Sequence, residues 1–339
     1  MAIDGQTTLD QVTVSTVFAD TVFGGLDRPE YERLTRELTG YCYRMLGSPF
    51  DAEDAVQDTM MRAWREHGRF EGRSSLRTWL YRIATNVCID MLRSRGRRSV
   101  PMDLEPPSTL DGLHVPSPES ERKWVLPAPD AWLEADPAQR VISAESVRLA
   151  FVAALQRLTP RQRAVLILRD VLQFSAAESA ELLGTTVASA NSALQRARIA
   201  MPTAESPGLG HLASDGNDAD QALLEEYVTA FEAYDISRLT TLLRADAIQS
   251  MPPFAMWLRG RENIGQFMLG PGAECRGSRL LPVRANGCAA FAQYRSDHAG
   301  GHAPWGIQVI QTQDGQLSAL HVFVLMPELF TLFGLPAKL

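Results

Sequence analysis

The feature that most constrains this chain is a helical pattern that follows a glycine-containing polar loop at residues 70–75. A stripe of apolar residues recurs there at helical spacing and predicts a core-facing side: Leu76, Leu80, Ile83, Val87 and Met91. A second stripe with the same period holds Trp79, Arg82, Asn86, Asp90 and Arg93. An aromatic ring, guanidinium groups and an amide on one face suit stacking on unpaired bases and hydrogen bonding to them. A solvated helix face with one half-buried Trp explains the second stripe equally well.

Charge is segregated along the chain, although the net charge of −7 by itself argues against a nucleic-acid partner. Residues 62–98 contain ten arginines against three acidic residues, a local charge of +7. Residues 101–139 contain eight acidic residues against one arginine and one lysine, a local charge of −6. Local fields, rather than the net charge, steer polyanions to a protein surface. The composition is therefore compatible with a nucleic-acid partner.

The overall composition, with 45% hydrophobic and 22% charged residues, is typical of a soluble globular protein. No apolar run reaches the ~20 residues that a membrane span needs, and the N-terminus lacks the basic start of a signal peptide. The four cysteines have no metal-ligand or redox spacing. The acidic residues at 51–58 point around a helix, whose first turn favours negative charge. We therefore expect a cytoplasmic protein with no membrane partner, no metal and no cofactor.

Breaks in the hydrophobic pattern divide the 339 residues, which are too many for one ordinary core. An acidic stretch that holds eight of the 20 prolines predicts an extended, self-repelling linker. A second break is rich in glycine, aspartate and serine. The predicted organisation is a flexible tail (1–27), a helical domain (28–98), the acidic linker (99–140), a second helical domain (141–203), a linker (204–219) and a C-terminal domain (220–339).

The first helical domain begins with an amphipathic helix predicted over residues 29–46. Gly47-Ser48-Pro49 ends that helix, and Asp51 is predicted as the N-cap of the next one. We expect this second helix to run to about His67, which is assigned to its core side.

The second helical domain carries the signals of a helix-turn-helix. Residues 159–162 give an N-cap threonine, a proline at the first helical position and a capping-box glutamine. Residues 175–178 give a second capping box, and Gly184 lies in the turn before a helix at 187–198. The outer side of that last helix is polar, as a helix that enters a DNA groove requires.

The C-terminal domain starts with two helical patterns, at 223–234 and 236–243, and then becomes strand-like. Strands are predicted at 247–251, 280–285, 289–295, 305–312 and 317–325. The turn signals Asn286-Gly287 and Asp314-Gly315 separate the later strands into hairpins. The pattern predicts an α+β domain with an antiparallel sheet.

Four motifs, in this order, resemble those of sigma-70-type RNA polymerase sigma factors of the extracytoplasmic-function (ECF) group. The resemblance covers residues ~29–98 (sigma region 2) and ~141–200 (sigma region 4). Residues 51–58 resemble the helix that binds the polymerase clamp, and residues 70–84 resemble the segment that melts DNA and reads the −10 element. Residues 158–163 and 189–198 resemble the domain that reads the −35 element.

The resemblance implies a role for each of three residue sets. It implies docking on the β′ clamp helices of core RNA polymerase by Asp54, Gln57, Asp58 and Arg62. It implies recognition of the −10 element by Phe70, Gly72, Arg73, Ser74, Ser75, Trp79, Arg82, Asn86 and Arg93. It implies recognition of the −35 element by Thr186, Ser189, Asn191, Ser192, Gln195, Arg196 and Arg198. Promoter DNA and the β flap of the polymerase are further implied partners, and no residue is assigned a catalytic role.

The C-terminal domain resembles the SnoaL-like (nuclear-transport-factor-two-like) α+β cone, on its order of elements and on residues 257–264. That fold encloses an apolar cavity, so the resemblance suggests a small ligand and regulation of the sigma factor in cis. Candidate lining residues are Tyr227, Phe231, Met251, Trp257, Phe267, Phe291, Tyr294, Trp305, His321 and Phe323. Ordinary core packing explains most of them equally well. The presence of an anti-sigma factor stays open.

Two other functions remain as alternatives. One is a helix-turn-helix regulator with a ligand-sensing domain, which would bind duplex DNA without polymerase. The other makes the C-terminal domain an enzyme that acts on a small apolar substrate, although no convincing acid–base pair is found there. The acidic linker has three readings: contact with the basic surface, occupancy of the polymerase's nucleic-acid channel, or a solvated tether.

Overall fold

The structure, a computed structural model, describes residues 28–70, 72, 74–109, 115–133, 148–201, 218–297 and 300–339. The predicted tail (1–27) and parts of both predicted linkers lie outside the described residues. The chain forms two compact units: the described residues of 1–96, 132–140 and 158–200 form the first, and those of 97–131, 141–157 and 201–339 form the second. Within the described residues, no helix is long and apolar enough to span a membrane.

The first unit opens with three helices: α1 (Arg28–Leu46), α2 (Pro49–Glu66), which runs into a 3₁₀ turn at His67–Arg69, and α3 (Leu76–Arg95). Ser48, not Asp51, is the N-cap of α2, because its hydroxyl accepts a hydrogen bond from the Asp51 amide at 3.3 Å. Pro49 then occupies the first helical position, where its missing N–H costs nothing. His67 is exposed rather than in the core, since α2 has already ended.

The later helices are α4 (Asp130–Leu133), α5 (Leu149–Gln156), α6 (Pro160–Leu166), α7 (Ala176–Leu182) and α8 (Val187–Ala200). α6 continues into a π-helical turn at Ile167–Val171. Both predicted capping boxes are confirmed, at Thr159/Gln162 and at Ser175/Glu178. Gly184 has φ of 57° in the turn between α7 and α8, so this pair forms the predicted helix-turn-helix.

α1 to α3 of the first predicted helical domain and α6 to α8 of the second lie in one unit, whereas α5 lies in the other. Within the first unit, α3 contacts α6 and α7, and α1 contacts α6. The guanidinium of Arg163 on α6 is buried and donates to the carbonyl oxygen of Met45 on α1. The Tyr81 ring on α3 meets the Phe174 ring edge-on, with centroids 5.2 Å apart. Arg77 lies over both rings, 5.1 Å from the Tyr81 centroid and 4.6 Å from the Phe174 centroid. Aromatic and charged contacts therefore connect sigma-like regions 2 and 4 directly.

The C-terminal part of the second unit contains α9 (Asp218–Glu232), α10 (Ile236–Leu242), α11 (Arg261–Leu269) and α12 (Pro327–Leu332). Its strands are β1 (Leu243–Ser250), β2 (Trp257–Arg259), β3 (Arg279–Ala285), β4 (Cys288–Ser296), β5 (His302–Gln313) and β6 (Gln316–Val324). They form one sheet in the order β2-β1-β6-β5-β4-β3. Side chains of α9, α10 and α11 share an apolar core with the sheet. The predicted α+β architecture, with helices packed on one sheet, is confirmed.

The structure confirms the predicted hairpin turns of the sheet but not the predicted direction of all its strands. The hairpin turns are confirmed, because Asn286, Gly287, Asp314 and Gly315 all have φ between 52° and 71°, as type I′ turns require. The prediction of a purely antiparallel sheet is wrong, since β1 and β6 pair in parallel. The sequence pattern also missed β2, because a three-residue strand is too short to show alternation. It missed α11 as well.

Residues 124–129 of the acidic linker are buried within the second unit, whereas most of the described residues of 104–122 are exposed. Trp124, Val125 and Leu126 are almost fully buried. The Ala128 amide donates to Oδ1 of Asn286 at 2.9 Å, and the Asn286 amide donates back to the Ala128 carbonyl at 3.1 Å. The indole N–H of Trp257 donates to the Glu105 carbonyl at 2.7 Å. The prediction of a solvated, extended tether is therefore wrong for residues 124–129, because their apolar side chains are buried and Ala128 is hydrogen-bonded to Asn286.

Candidate polymerase and promoter interface

The outer face of α2 presents charged and apolar side chains together. Asp54 and Gln57 are exposed, and Asp58 and Arg62 are half-buried. Arg62 pairs with Asp58 at 2.9 Å and approaches Asp90 of α3 at 3.8 Å, so its position is fixed from two helices. The structure thus brings the four predicted polymerase-binding residues onto one face.

Trp64 on the same helix was missed by the sequence analysis. It is 50% exposed, and Met61 beside it is 43% exposed. Two large apolar side chains in water next to a charged cluster are typical of a protein-binding surface. The signal was available, because Trp64 follows Met61 by three residues and Gln57 by seven, the spacing of one helix face.

The loop before α3 is anchored at both of its ends. Phe70 packs against Trp79 with ring centroids 5.0 Å apart, and Ser75 caps α3 by accepting from the Thr78 amide at 3.1 Å. Gly72 has φ of 68°, which a glycine adopts without strain. Ser74 is half-buried, and Arg73 lies outside the described residues. The described ends of this loop are thus held by an aromatic contact at Phe70 and by a helix cap at Ser75.

Trp79 differs from the other residues of its stripe. It is only 5% exposed and packs into the core of the first unit, so it does not lie on an open face with its neighbours. Its side chain falls at the border of the apolar stripe, and Phe70 covers the edge that faces the loop. The expectation of an exposed aromatic on this face is therefore corrected.

The rest of the second stripe of α3 is exposed, at Arg82, Asn86, Asp90 and Arg93. Arg93 pairs with Asp90 at 3.5 Å. Within the described residues, the side chains of Arg82 and Asn86 have no hydrogen-bond or ion-pair partner. A free guanidinium and a free amide one helical turn apart can bind phosphates and base edges without first breaking an internal contact.

The recognition-type helix α8 is packed by small and apolar residues on its inner side, Ala190, Leu194 and Ala197. Its exposed outer residues are Ser189, Asn191, Ser192, Gln195, Arg196 and Arg198. Arg198 makes a bidentate pair with Asp170, at 2.6 and 3.0 Å. The Thr186 hydroxyl accepts from the Ser189 amide at 3.2 Å. Thr186 and Arg198 therefore stabilise the helix, while the other five predicted residues face outward.

The C-terminal domain contains a partly open cavity of about 90 Å³ between its helices and one face of the sheet. Of the ten candidate residues, five line it: Tyr227, Phe231, Met251, Phe267 and Trp305. The prediction is corrected for Trp257, Phe291, Tyr294, His321 and Phe323. Phe291 lies beneath α9, 5.9 Å from the Tyr227 ring. The other four lie on the opposite face of the sheet, because strand residues alternate between faces and Leu320 and Val322 occupy the cavity side.

His321 is a buried titratable group on that opposite face. Its Nδ1 lies 2.8 Å from the Ser250 hydroxyl, and burial lowers its pKa from 6.5 to about 4. Between these two values the unfolded chain binds a proton that the folded unit does not, so the free energy of unfolding falls as the pH falls.

We expect His321 to make the second unit about 2 kcal/mol less stable at pH 5 than at pH 7. The measurement is urea unfolding at both pH values for the wild-type chain and for His321→Gln, which cannot take up this proton. The variant should lose that part of the pH dependence. Equal pH dependence in both chains would contradict the assignment.

Comparison with known proteins identifies relatives of both helical regions and of the whole chain. The sigma-70 region 2 family matches residues 31–98, and the sigma-70 region 4 family matches residues 148–201. The ECF RNA polymerase sigma factor SigG of Mycobacterium tuberculosis is 45% identical over 312 residues, which cover 91% of this chain and 83% of SigG. The ECF sigma factor SigJ of the same organism is 31% identical over 247 residues, 71% of this chain and 72% of SigJ.

The crystal structure of M. tuberculosis SigJ superposes with a TM-score of 0.59 at 24% sequence identity, and covers 92% of this chain and all of that one. This match establishes a shared fold across both helical regions and the C-terminal domain. The paired helical regions, the helix-turn-helix and the 45% identity to SigG lead to one conclusion. The chain belongs to the extracytoplasmic-function family of RNA polymerase sigma factors.

Proposed function

We propose that this sigma factor docks on core polymerase through the outer face of α2. Asp54, Gln57, Asp58 and Arg62 supply the polar contacts, and Trp64 supplies an apolar anchor. An aromatic side chain surrounded by charged groups is typical of protein–protein interfaces, where the aromatic residue contributes much of the binding free energy. The β′ clamp helices are the proposed partner on the polymerase, and the β flap is the proposed partner of region 4.

The proposed promoter contacts divide between two helices. On α3 and its loop, the exposed Arg82, Asn86 and Arg93 bind the separated strand of the −10 element, with Phe70, Gly72 and the loop serines above them. On α8, Asn191, Gln195 and Arg196 reach base edges of the −35 element in the major groove, flanked by Ser189 and Ser192. Trp79 supports the −10 surface from beneath as a positioning residue.

We infer that the C-terminal domain regulates the sigma factor in cis by holding the chain that connects the two DNA-reading regions. The observation that carries this proposal is that the described residues of 97–131 are hydrogen-bonded within the second unit at Glu105, Ala128 and Asp130. Asp130 accepts a hydrogen bond from the Gly287 amide at 2.7 Å and pairs with Arg284 at 3.3 Å. Asn286 binds Ala128 through two hydrogen bonds. Release of this segment costs free energy, and a chain that must release it is less available to the polymerase.

The test is run-off transcription at limiting sigma factor with the double variant Asn286→Gly/Asp130→Ala. Glycine keeps the positive φ of the turn and removes the acceptor of the Ala128 amide. Each hydrogen bond of this kind contributes about 1 kcal/mol, and 1 kcal/mol is about a fivefold shift in population. We expect at least about a fivefold rise in transcript.

The matched control is Asp314→Gly/Asp246→Ala, which alters the other type I′ turn and removes an acidic pair around Arg244. It does not touch residues 97–131, so its transcript should equal that of the wild-type chain. If the test variant also matches wild type, the C-terminal domain does not act through this segment.

We propose that the C-terminal domain is a regulatory module and has no catalytic activity, and that the protein acts in the cytoplasm. The titratable side chains that line its cavity are Tyr227, Glu274, Cys275 and Arg295. Glu274 and Arg295 pair with each other at 2.9 Å, and burial raises the pKa values of Tyr227 and Cys275, which keeps both protonated. These groups supply no free general base, which supports binding rather than chemistry.

A further inference from the structure

Arg95, the last residue of α3, contacts α2 rather than the exposed stripe of its own helix. Its Nη1 donates to Oδ1 of Asp51, and its Nη2 lies 3.3 Å from Oδ2 of Asp54. Arg93, two residues earlier, pairs instead with Asp90 on α3. Because a helix has about 3.6 residues per turn, residues two positions apart point about 200° apart, and the two arginines project from opposite sides.

The position of Arg95 is fixed by the ends of two helices. The Gly96 amide donates to the Leu92 carbonyl at 3.3 Å, which ends α3 directly after Arg95. Asp51 and Asp54 lie near the start of α2. The positive end of the α2 dipole favours these carboxylates, and the negative end of the α3 dipole favours the guanidinium. The ion pairs therefore join the start of α2 to the end of α3.

The two carboxylates of this contact differ in exposure. The Asp51 side chain is 12% exposed and the Asp54 side chain is 60% exposed, whereas that of Arg95 is 38% exposed. A guanidinium carries several N–H donors in one rigid plane, so it can hold two carboxylates at once. Asp51 thus anchors the guanidinium, which in turn restricts the exposed Asp54 carboxylate. Within the described residues Oδ1 of Asp54 makes no hydrogen bond, so it stays open to a partner.

Negative charge is concentrated at the start of α2. Asp51, Glu53 and Asp54 lie within four residues of one another, and burial together with the nearby Asp54 raises the pKa of Glu53. Like charges at this spacing repel one another. Arg95 offsets that repulsion from the neighbouring helix, because it pairs with two of the three carboxylates. Its loss would leave the Asp54 side chain without the contact that orients it.

α3 supports the other end of the same α2 face as well. Arg62, two turns after Asp54, lies 2.9 Å from Asp58 on its own helix and 3.8 Å from Asp90 of α3. The outer face of α2 is therefore held by α3 at two points, through Arg95 at one end and through Asp90 at the other.

We propose that Arg95 is a positioning residue for polymerase docking, and that it holds the Asp54 carboxylate in the orientation that core polymerase binds. This inference rests on the docking proposed above for the outer face of α2. By sequence, Arg95 is one of the ten arginines of residues 62–98, whose charge favours nucleic acid. Its guanidinium is engaged on α2 instead. A side chain that is ordered before binding does not have to be immobilised during binding, which raises the affinity.

The test is a double-mutant cycle between Arg95→Gln and Asp54→Asn, measured as the affinity of the full chain for core RNA polymerase without DNA. Arg97→Gln is the matched control, because it removes the same charge two residues along the chain. Arg97 is exposed, and within the described residues it has no hydrogen bond or ion pair. Arg95→Lys keeps the charge but loses the planar fork. Urea unfolding of each variant separates a loss of affinity from a loss of fold.

We expect Arg95→Gln to lower the affinity for polymerase about two- to tenfold, the range that the ordering of one side chain provides. It should have no further effect in the Asp54→Asn chain. Arg95→Lys should recover part of the affinity, and Arg97→Gln should bind like the wild type.

Two results would overturn the positioning role and leave the docking surface intact. One is an equal loss of affinity from Arg95→Gln with and without Asp54→Asn, which a purely structural role or a general charge effect would give. The other is wild-type affinity in Arg95→Gln while Asp54→Asn binds more weakly. If Asp54→Asn itself binds like the wild type, the assignment of Asp54 to the docking surface fails together with the role of Arg95.

Discussion

Replacement of Phe174 by alanine is expected to raise the affinity of the free chain for core RNA polymerase by about tenfold. Phe174 lies in region 4, between α6 and α7, and its ring contacts Tyr81 and Arg77 of region 2. An aromatic pair contributes ~0.5–1.5 kcal/mol beyond its buried area, and a cation–π contact contributes a similar amount. We call the arrangement in which regions 2 and 4 are in contact closed, and the arrangement in which they are separated open. Loss of both contacts would shift the equilibrium toward the open arrangement.

The distance between the two promoter elements is larger than the closed first unit can span. The −10 and −35 elements lie about 25 base pairs apart, which is about 85 Å at about 3.4 Å for each pair. α3, with 20 residues, is about 30 Å long. It contacts α7 directly, and α7 contacts α8. With the promoter contacts proposed above, a unit in which these helices touch would not reach both elements at once, so the two regions would have to separate before they read a promoter.

Only open chains bind the polymerase in this scheme. The apparent affinity therefore equals the affinity of the open arrangement multiplied by the fraction of chains that are open. The measurement is equilibrium binding of fluorescently labelled chain to core polymerase. Ile199→Ala is the control, because it also removes an apolar side chain from region 4 but one that is 77% exposed. If Phe174→Ala and Ile199→Ala both bind like the wild type, the contacts of Phe174 do not restrain opening.

Local patterns in the sequence were sufficient to predict most helices and hairpins. The capping boxes at Thr159 and Ser175 and the turn at Asn286-Gly287 depend on residues within four positions of one another, so the sequence shows them directly. The parallel pairing of β1 with β6 joins residues about 70 positions apart. Hydrophobic alternation is the same for parallel and antiparallel partners, which is why the direction was not predictable.

The burial of part of the acidic linker was not predictable from its composition. Trp124, Val125 and Leu126 are three apolar residues among prolines and acids, too few to give a period. The neighbouring Ala128 is held by hydrogen bonds to Asn286, more than 150 residues away in sequence. The same limit applies to the cavity. A one-residue change of strand phase exchanges the two faces, so His321 was assigned to the side that Leu320 and Val322 occupy.

Trp79→Ala is expected to destabilise the first unit by about 3–5 kcal/mol, the usual cost of truncating a buried aromatic residue in a core. Trp79 is 5% exposed and packs against Phe70, so its removal leaves a cavity next to the −10 loop. Loss of promoter opening in this variant would follow from damage to the loop alone. Arg82→Ala and Asn86→Ala isolate the role in DNA, because both side chains are exposed and should reduce open-complex formation at unchanged stability.

Trp64→Ala provides the matched comparison for Trp79→Ala, since the same side chain is truncated in the same unit at a site that is 50% exposed. Its free energy of unfolding should change by less than about 1 kcal/mol. Its affinity for core polymerase should fall by about tenfold or more, as expected of an aromatic anchor. Chemical unfolding and polymerase binding of both variants separate the two roles. If Trp79→Ala proved as stable as wild type and still bound polymerase, but did not open the promoter, Trp79 would have to leave the core and contact DNA during initiation.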